Sequence, residues 1–445
     1  MADEILIIGG VAAGLSAASR ARKLSRDARI TVLEQGPVCS YSACGLPLAL
    51  AGQLPLERLI VHTPEFFRDQ RQISVLTGHR ALAIEPSRRR VRVETPAGER
   101  AFPYDRLVLA TGAESRWQPS AGPRPLNLYA ANTWTQTQTL LAALDGAAAP
   151  RRVVVVGGGY IGLEVAEALA RRGCQVTVLE SRPALLSALD PELSAGLPAV
   201  AEAAGITVRL GVRVVALEGR ERVTGIATSA GAISADAVIN CAGLRPRVEL
   251  AAAAGVALGR LGGIAVNDRQ QTNLGGIYAA GDCAETRHRL TGAPVWIPLA
   301  PAANQQGRIA GQNAAGGRPA RFPGVLGTLV VPLFGWEWGR TGLGLNEARA
   351  AGFAADGITV TAQSRAGYLD PQPVTLRLIY DGGTGRALGC QLRGAPGTVA
   401  GRLNTAAAAL AAGLSLEEIE TLDNAYCPPL APLYEPLAVA AHQAR

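Results

Sequence analysis

Three short segments hold residues whose types and spacing can do chemistry. The first, Gly157-Gly158-Gly159-Tyr160-Ile161-Gly162, follows the apolar run Val153-Val154-Val155-Val156 and leads through a helical stretch to Val176-Thr177-Val178-Leu179-Glu180. Glycines at such a corner let the backbone approach a pyrophosphate, the helix N-terminus supplies N–H donors, and the acid ending the second strand accepts from a ribose hydroxyl. The second segment repeats this at the start of the chain: Ile5-Leu6-Ile7-Ile8, then Gly9-Gly10-Val11-Ala12-Ala13-Gly14, an alanine-rich helix to Leu24, and Ile30-Thr31-Val32-Leu33-Glu34. Here Val11 stands where a middle glycine is expected. One glycine turn is weak support, because any tight turn before a helix uses glycine. Two copies, each closed by an acid twenty-odd residues later, point to two dinucleotides. The third segment, Ser40-Tyr41-Ser42-Ala43-Cys44-Gly45-Leu46-Pro47, comes directly after the first βαβ unit. A lone cysteine usually packs as a small apolar side chain. With a pKa lowered by nearby donors or a helix N-terminus, it becomes a nucleophile.

The 445 residues allow two to four domains at roughly 100–200 residues each. Apolar residues make up 48% and charged residues 18%, which suits large buried cores and argues against disorder. No apolar run reaches the roughly 18–20 residues of a membrane helix. The start, Met1-Ala2-Asp3-Glu4, is acidic where an export signal is basic, so a cytoplasmic location is expected. The seven cysteines, Cys39, Cys44, Cys174, Cys241, Cys283, Cys390 and Cys427, are odd in number and lack zinc-site spacing. No metal is expected, and a functional cysteine would be a reactive thiol. The net charge of +7 is spread along the chain, with Lys23 the single lysine. The one basic run, Arg88-Arg89-Arg90, abuts the strand-like Val91-Arg92-Val93, so nucleic acid is not an expected partner. After about residue 325 the texture changes to β-rich segments and two alanine-rich helices, with a proline-rich loop from Cys427 to Pro436. This reads as a separate domain.

Two further strand ends, Ala110-Thr111-Gly112 after Leu107-Val108-Leu109 and Gly281-Asp282 after Ile277-Tyr278-Ala279-Ala280, give the chain a resemblance to the two-dinucleotide flavoprotein reductases. The resemblance implies an α/β fold with two Rossmann-like dinucleotide domains and a C-terminal α+β dimerisation domain. Its boundaries would be 1–115 with 242–322 for FAD, 116–241 for NAD(P)H and 323–445 for dimerisation. FAD would meet Gly9, Gly10, Ala12, Gly14, Glu34, Ala110, Thr111, Gly112, Gly281, Asp282, Pro298, Leu299 and Ala300. NADH or NADPH would meet Gly157, Gly159, Tyr160, Ile161, Gly162, Glu164 and Glu180. A carboxylate at position 180 favours a free 2′-hydroxyl and hence NADH, while Arg182 works the other way.

Within that superfamily, Ser-aromatic-x-x-Cys-Gly-Leu-Pro is similar to the single-cysteine branch, the family of coenzyme A disulfide reductase, NADH oxidase and NADH peroxidase. The likeness extends to Ile297-Pro298-Leu299-Ala300, Asn304-Gln305-Gln306-Gly307-Arg308, Ala366-Gly367-Tyr368 and Ala425-Tyr426-Cys427-Pro428-Pro429. It implies electrons passing from the nicotinamide nucleotide to FAD, to the Cys44 sulfur and then to substrate. The peroxidase branch carries a histidine in the first glycine turn, where this chain has Ala12. The coenzyme A branch carries basic residues on the first helix, matched by Arg20, Arg22 and Lys23, and two tyrosines from the partner subunit, matched by Tyr368 and Tyr426. Ser40, Asn304 and Arg308 complete the expected substrate contacts.

The expectation is therefore a homodimeric FAD-dependent NAD(P)H:disulfide reductase acting on coenzyme A disulfide or a related persulfide or polysulfide. The chain departs from the family at Leu48-Ala49, at Leu369 and at Cys427, which makes Cys427 a candidate second thiol. Three alternatives stay open. The first is an oxidase or peroxidase working through a Cys44 sulfenic acid. The second is a Cys39–Cys44 dithiol of the Cys-x4-Cys kind; against it, no lysine follows Lys23 and His442 lacks the accompanying glutamate motif. The third is a reductase of a redox protein, in which Cys44 is structural.

Overall fold

The computed structural model describes residues 3–116 and 125–445, so Met1 and Ala2 of the acidic start, and the stretch 117–124 of the second expected domain, lie outside the described residues. A five-stranded parallel sheet organises the first unit, in the order Ile277–Ala279, Arg106–Leu109, Glu4–Ile8, Arg29–Glu34, Ser74–Thr77. Its strands are apolar on both faces because both are covered. Ile5 and Ile7 face an alanine-rich helix layer, while Leu6 and Ile8 pack with Ile84, Val91 and Val93 of an antiparallel three-stranded sheet. Arg88, Arg90 and Arg92, from the basic run and its neighbour, pair with Glu85 at the base of that sheet.

The second unit repeats the plan. Its parallel sheet runs Thr207–Leu210, Gln175–Glu180, Arg152–Val156, Ala237–Asn240, Leu128–Tyr129. Val153 and Val155 pack on helix Tyr160–Arg171, and Val154 and Val156 pack against Ile226 of a small antiparallel sheet. The chain leaves the first unit along Ala113–Ser115 and returns along Leu244–Pro246, and these two segments pair antiparallel. The third unit is an antiparallel sheet ordered Leu329–Leu333, Trp336–Gly342, Ala387–Gly394, Pro373–Asp381, Ala355–Gln363, backed by helices Ala400–Ala412 and Pro436–Gln443. Tyr368, Tyr426, Leu430, Leu433 and Tyr434 leave it exposed.

Helix Ala12–Leu24 crosses helix Ala300–Ala314 at backbone distance. A Cβ on Gly307 or Gly311 would fall 2.1 Å from the carbonyl oxygen of Ala13 or Ala17. Ala13, Ala17, Ala18, Ala303 and Ala310 make the rest of the contact, which explains the alanine richness of both segments. The crossing brings the N-termini of the two helices to the same end of the sheet.

In an ordinary helix, replacing glycine gains up to about 1 kcal/mol of propensity. At Gly311 the clash is with backbone that cannot yield, so Gly311→Val should destabilise by about 1–3 kcal/mol or more, read as a lowered urea midpoint. An unchanged midpoint would show that the helices can separate without cost.

Candidate functional site

The two glycine turns are built alike. Gly9 and Gly157 adopt φ of +116° and +110°, and a Cβ on either would fall within 2.3 Å of the carbonyl oxygen of Ala110 or Cys241 on the neighbouring strand end. Gly14 and Gly162 sit on the helix against the carbonyl of that first glycine, at 1.8 and 1.9 Å from the hypothetical Cβ. Val11 is tolerated because the middle position has negative φ, −117° here and −79° at Gly159. Strand register then sets the acids. Ile8 pairs with Leu33, so Glu34 reaches back to accept from Gly10 N–H at 2.7 Å and from Gly36 N–H at 2.7 Å. Val156 pairs with Leu179, and Glu180 accepts from Gly158 N–H and Arg182 N–H, both at 2.8 Å.

Neither helix has a side chain capping its N-terminus, so the first N–H groups are free for a phosphate. These cradles fit a dinucleotide each. Thr111 Oγ1 donates to the Arg247 carbonyl at 2.7 Å and Gly112 accepts from Arg247 N–H at 2.9 Å, tying that strand end to the return strand. Gly281 N–H donates to Gln306 Oε1 at 2.7 Å, tying the residue before Asp282 to helix Ala300–Ala314.

Cys44 lies in a short 3-10 turn, Ala43–Gly45, leading into helix Leu46–Leu50. That helix docks on Tyr160–Arg171: Leu50 is buried with Leu163 and Ala166, and Arg172 Nε donates to the Leu50 carbonyl at 2.5 Å. Cys44 therefore sits at the seam of the two units, facing Tyr160, Glu164 and Asp282. Burial pushes the Glu164 carboxyl up to about 7 and Asp282 up to about 6. Burial, with Asp282, Cys44 and Glu164, pushes Tyr160 up to about 12. Cys44 is exposed as a residue, yet the expected depression of its pKa is not found: loss of water around the sulfur, followed by the nearby Glu164 and Asp282, raises it.

Cys39 and Cys44 are both free thiols. Cys39 is buried among Ala13, Ala17 and Phe67, its thiol turned toward the His62 carbonyl, and burial pushes it up to about 11. A packed thiol facing the core does not pair with Cys44 in this structure.

A groove of about 560 Å³ runs along the first helix and past Ser40 and Tyr41, at the start of the segment that carries Cys44. Arg20, Lys23, Asn304 and Arg308 line it, with Arg20 donating to Gln312 Oε1 at 2.9 Å and Asn304 to Ser16 Oγ at 2.7 Å. Ser40 holds a φ of +50°, pinned by its N–H to the Gly10 carbonyl at 2.9 Å. Arg22 is placed elsewhere: its guanidinium donates to the carbonyls of Ser25, Arg26, Ala28 and Gln72, closing the helix end instead of facing the groove. The groove also gathers His62, Phe67 and Arg71, which sequence reasoning missed. His62 stacks on Phe66 at 3.9 Å and Arg71 lies over the same ring. His62, just before helix Pro64–Arg71, and Phe66, Phe67 and Arg71 within it were the available signal. Tyr368 and Tyr426 are 77% and 53% exposed on the third unit, outside the groove's lining.

Residues 3–307 match the family model described as pyridine nucleotide-disulphide oxidoreductase, and residues 330–435 match the dimerisation domain of the same family. The chain is 36% identical over 443 residues to an NAD(P)H coenzyme A polysulfide/persulfide reductase of Pyrococcus horikoshii, covering 99% of this chain and 98% of that one. It is 33% identical over 443 residues to an NADH oxidase of Methanocaldococcus jannaschii, covering 99% and 98%. The structure of an NAD-dependent persulfide reductase from A. fulgidus superposes with a TM-score of 0.94 at 33% identity, over 99% of this chain and 83% of that one. The chain belongs to the pyridine nucleotide-disulphide oxidoreductase family, whose members use FAD and NAD(P)H, and it carries that family's dimerisation domain. Among the described residues no helix is long and apolar enough to cross a membrane.

Because Glu164 is held neutral by burial, the folded chain keeps a proton that the unfolded chain loses as pH rises from 4.5 to about 7. Its contribution to stability is complete below that window and is lost through it. In the flavin-free protein, the urea midpoint of the wild type should fall relative to Glu164→Gln across this range. Parallel midpoint profiles would place the carboxyl in water.

Proposed function

We propose that this enzyme is an FAD-dependent NAD(P)H:disulfide reductase whose Cys44 forms a mixed disulfide with coenzyme A, and that its substrate is coenzyme A disulfide or a coenzyme A persulfide or polysulfide. The groove is the observation that carries this reading. It joins the segment next to Cys44 to Arg20, Lys23, Arg71 and Arg308, with a ring surface at Phe67, and so suits a long ligand with a sulfur at one end and a phosphorylated nucleotide at the other. The relatives named for coenzyme A persulfide and persulfide reduction support it.

In this reading the FAD domain comprises 1–115 and 242–322, the NAD(P)H domain 116–241 and the dimerisation domain 323–445. Gly9, Gly10, Gly14, Glu34 and Asp282 would hold FAD, and Gly157, Gly159, Gly162, Glu180 and Tyr160 the nicotinamide nucleotide. Bound FAD supplies the two-electron link between reduced nicotinamide and sulfur. The Cys44 thiolate attacks one sulfur of the substrate, the S–S bond breaks, and the departing thiolate takes a proton. Two electrons then split the Cys44 mixed disulfide, returning the Cys44 thiolate and a second thiolate that is protonated. Each turnover thus consumes one disulfide, one NAD(P)H and one solvent proton. Glu164, neutral up to about pH 7, is placed to hold a proton near the sulfur. The Glu180 carboxylate would meet the 2′ position of the nucleotide, which favours NADH.

The exposed Tyr368, Tyr426, Leu430 and Leu433 form a face for a second copy of the chain. A homodimer would bring Tyr368 and Tyr426 to the partner's Cys44, where their hydroxyls can donate to a leaving thiolate. Cys427 is exposed beside Tyr426 and would travel with it. The free cysteines suit a reducing compartment such as the cytoplasm.

Intact-protein mass spectrometry should find a reductant-labile coenzyme A adduct on Cys44. Cys44→Ser should lose the adduct and about a thousandfold or more of disulfide turnover while still binding NADH. Undiminished turnover in this variant would leave Cys44 a structural thiol, and oxygen or peroxide consumption matching the disulfide rate would move the enzyme to the oxidase class.

A further inference from the structure

The loop after Glu180 is held from two domains at once. Within its own domain, Leu186 N–H donates to the Gly158 carbonyl at 2.8 Å, and the fully buried Leu185 fills the space where a Gly158 Cβ would fall. The third unit grips the other side. Arg340, on Trp336–Gly342, donates to the Ala188 carbonyl and to Glu347. Arg377, on Pro373–Asp381, pairs with Asp190 at 3.0 Å and Glu192 at 2.9 Å. Gln391 accepts from Asp190 N–H at 2.7 Å, and Leu345 N–H donates to Asp190 Oδ2 at 3.1 Å.

Arg340 and Arg377 are 9% and 5% exposed, and stripping water from two guanidinium groups is a poor route to stability when apolar side chains could fill the same sheet face. What such a network provides is direction. Several of its bonds end on backbone atoms or on the one aspartate of loop 181–190, so they set the loop's path. Leu186 in that loop sits at φ +46°, a left-handed conformation that a leucine keeps only when its surroundings impose it. The loop's other end carries Arg182, whose N–H bonds Glu180 and whose guanidinium bonds Ser187 at 2.5 Å.

We propose that Arg340 and Arg377 are positioning residues for the nicotinamide nucleotide: from the C-terminal domain they clamp loop 181–190 onto the second glycine turn and so build the wall against which the adenosine half binds. This rests on the reading that the second turn takes NAD(P)H. Neither arginine touches the nucleotide cradle, so their loss weakens ground state and transition state alike.

Arg377→Met and Arg340→Met in the FAD-loaded enzyme should raise the KM for NADH about tenfold with kcat changed less than about twofold. Calorimetry should show NAD+ binding weakened by a similar factor, and hydrogen exchange at the Leu186 amide should quicken. Arg377→Lys, which keeps the charge without the fork, should restore part of the affinity. If the methionine variants do not fold, Gln391→Met, which removes one loop bond without stranding a charge, carries the test on the same readouts. Unchanged KM and NAD+ affinity in folded variants, alongside weakened binding in Glu180→Ala, would overturn the clamp and leave the nucleotide site standing. NAD+ affinity indifferent to Glu180→Ala would instead overturn the reading of the second turn.

Discussion

The structure depends on one arrangement used twice: a glycine turn pressed against the neighbouring strand, with a glutamate from the next strand accepting from the turn's own N–H. Gly9 and Gly157 leave no room for a Cβ, and Glu34 and Glu180 each tie a turn to the loop that follows their strand. Because parallel strands in register end at the same level, the pairing Ile8 to Leu33 or Val156 to Leu179 delivers turn, helix N-terminus and acid to one edge. A ligand met by that edge is bound largely by backbone, which a neighbouring side chain disturbs little. A valine at the middle turn position is accommodated because the backbone there keeps a negative φ.

Between the two edges lies a site of unusual electrostatics. Cys44, Tyr160, Glu164 and Asp282 are all acids, brought together where helix Leu46–Leu50 docks on Tyr160–Arg171, and burial holds each toward its neutral form. A thiolate formed there competes with carboxylates for the same field, so ionising one member discourages the others. The cations of this region, Arg20, Lys23, Arg71 and Arg308, lie out along the groove, where they suit an anionic ligand better than the sulfur.

The third unit does more than present an exposed apolar face. Its buried arginines reach the loop behind the second glycine turn, so the unit that matches the family's dimerisation domain also holds a loop of the second unit in the same chain. Packing between units is thus ionic and directional at this contact, whereas the crossing of helices Ala12–Leu24 and Ala300–Ala314 relies on small residues and close backbone approach.

Both βαβ units, their acids, the changed texture of the last third and the cysteine segment were legible along the chain. Each is a local pattern: strand, turn and helix follow one another within about thirty residues, and glycine or acid is required by geometry set by its immediate neighbours. The pKa of Cys44 was not legible, because it is raised first by the packing that strips water from the sulfur and then by carboxylates at residues 164 and 282. Nor was the turn of Arg22 toward four carbonyls, the gathering of Phe67 and Arg71 beside Arg20, or the grip of Arg340 and Arg377 on residues 188 and 190. Those depend on where distant segments meet, and a side chain's partner across 150 residues leaves no spacing to read. The order of residues by itself thus determined the backbone cradles; the folded chain alone decided which charges face them.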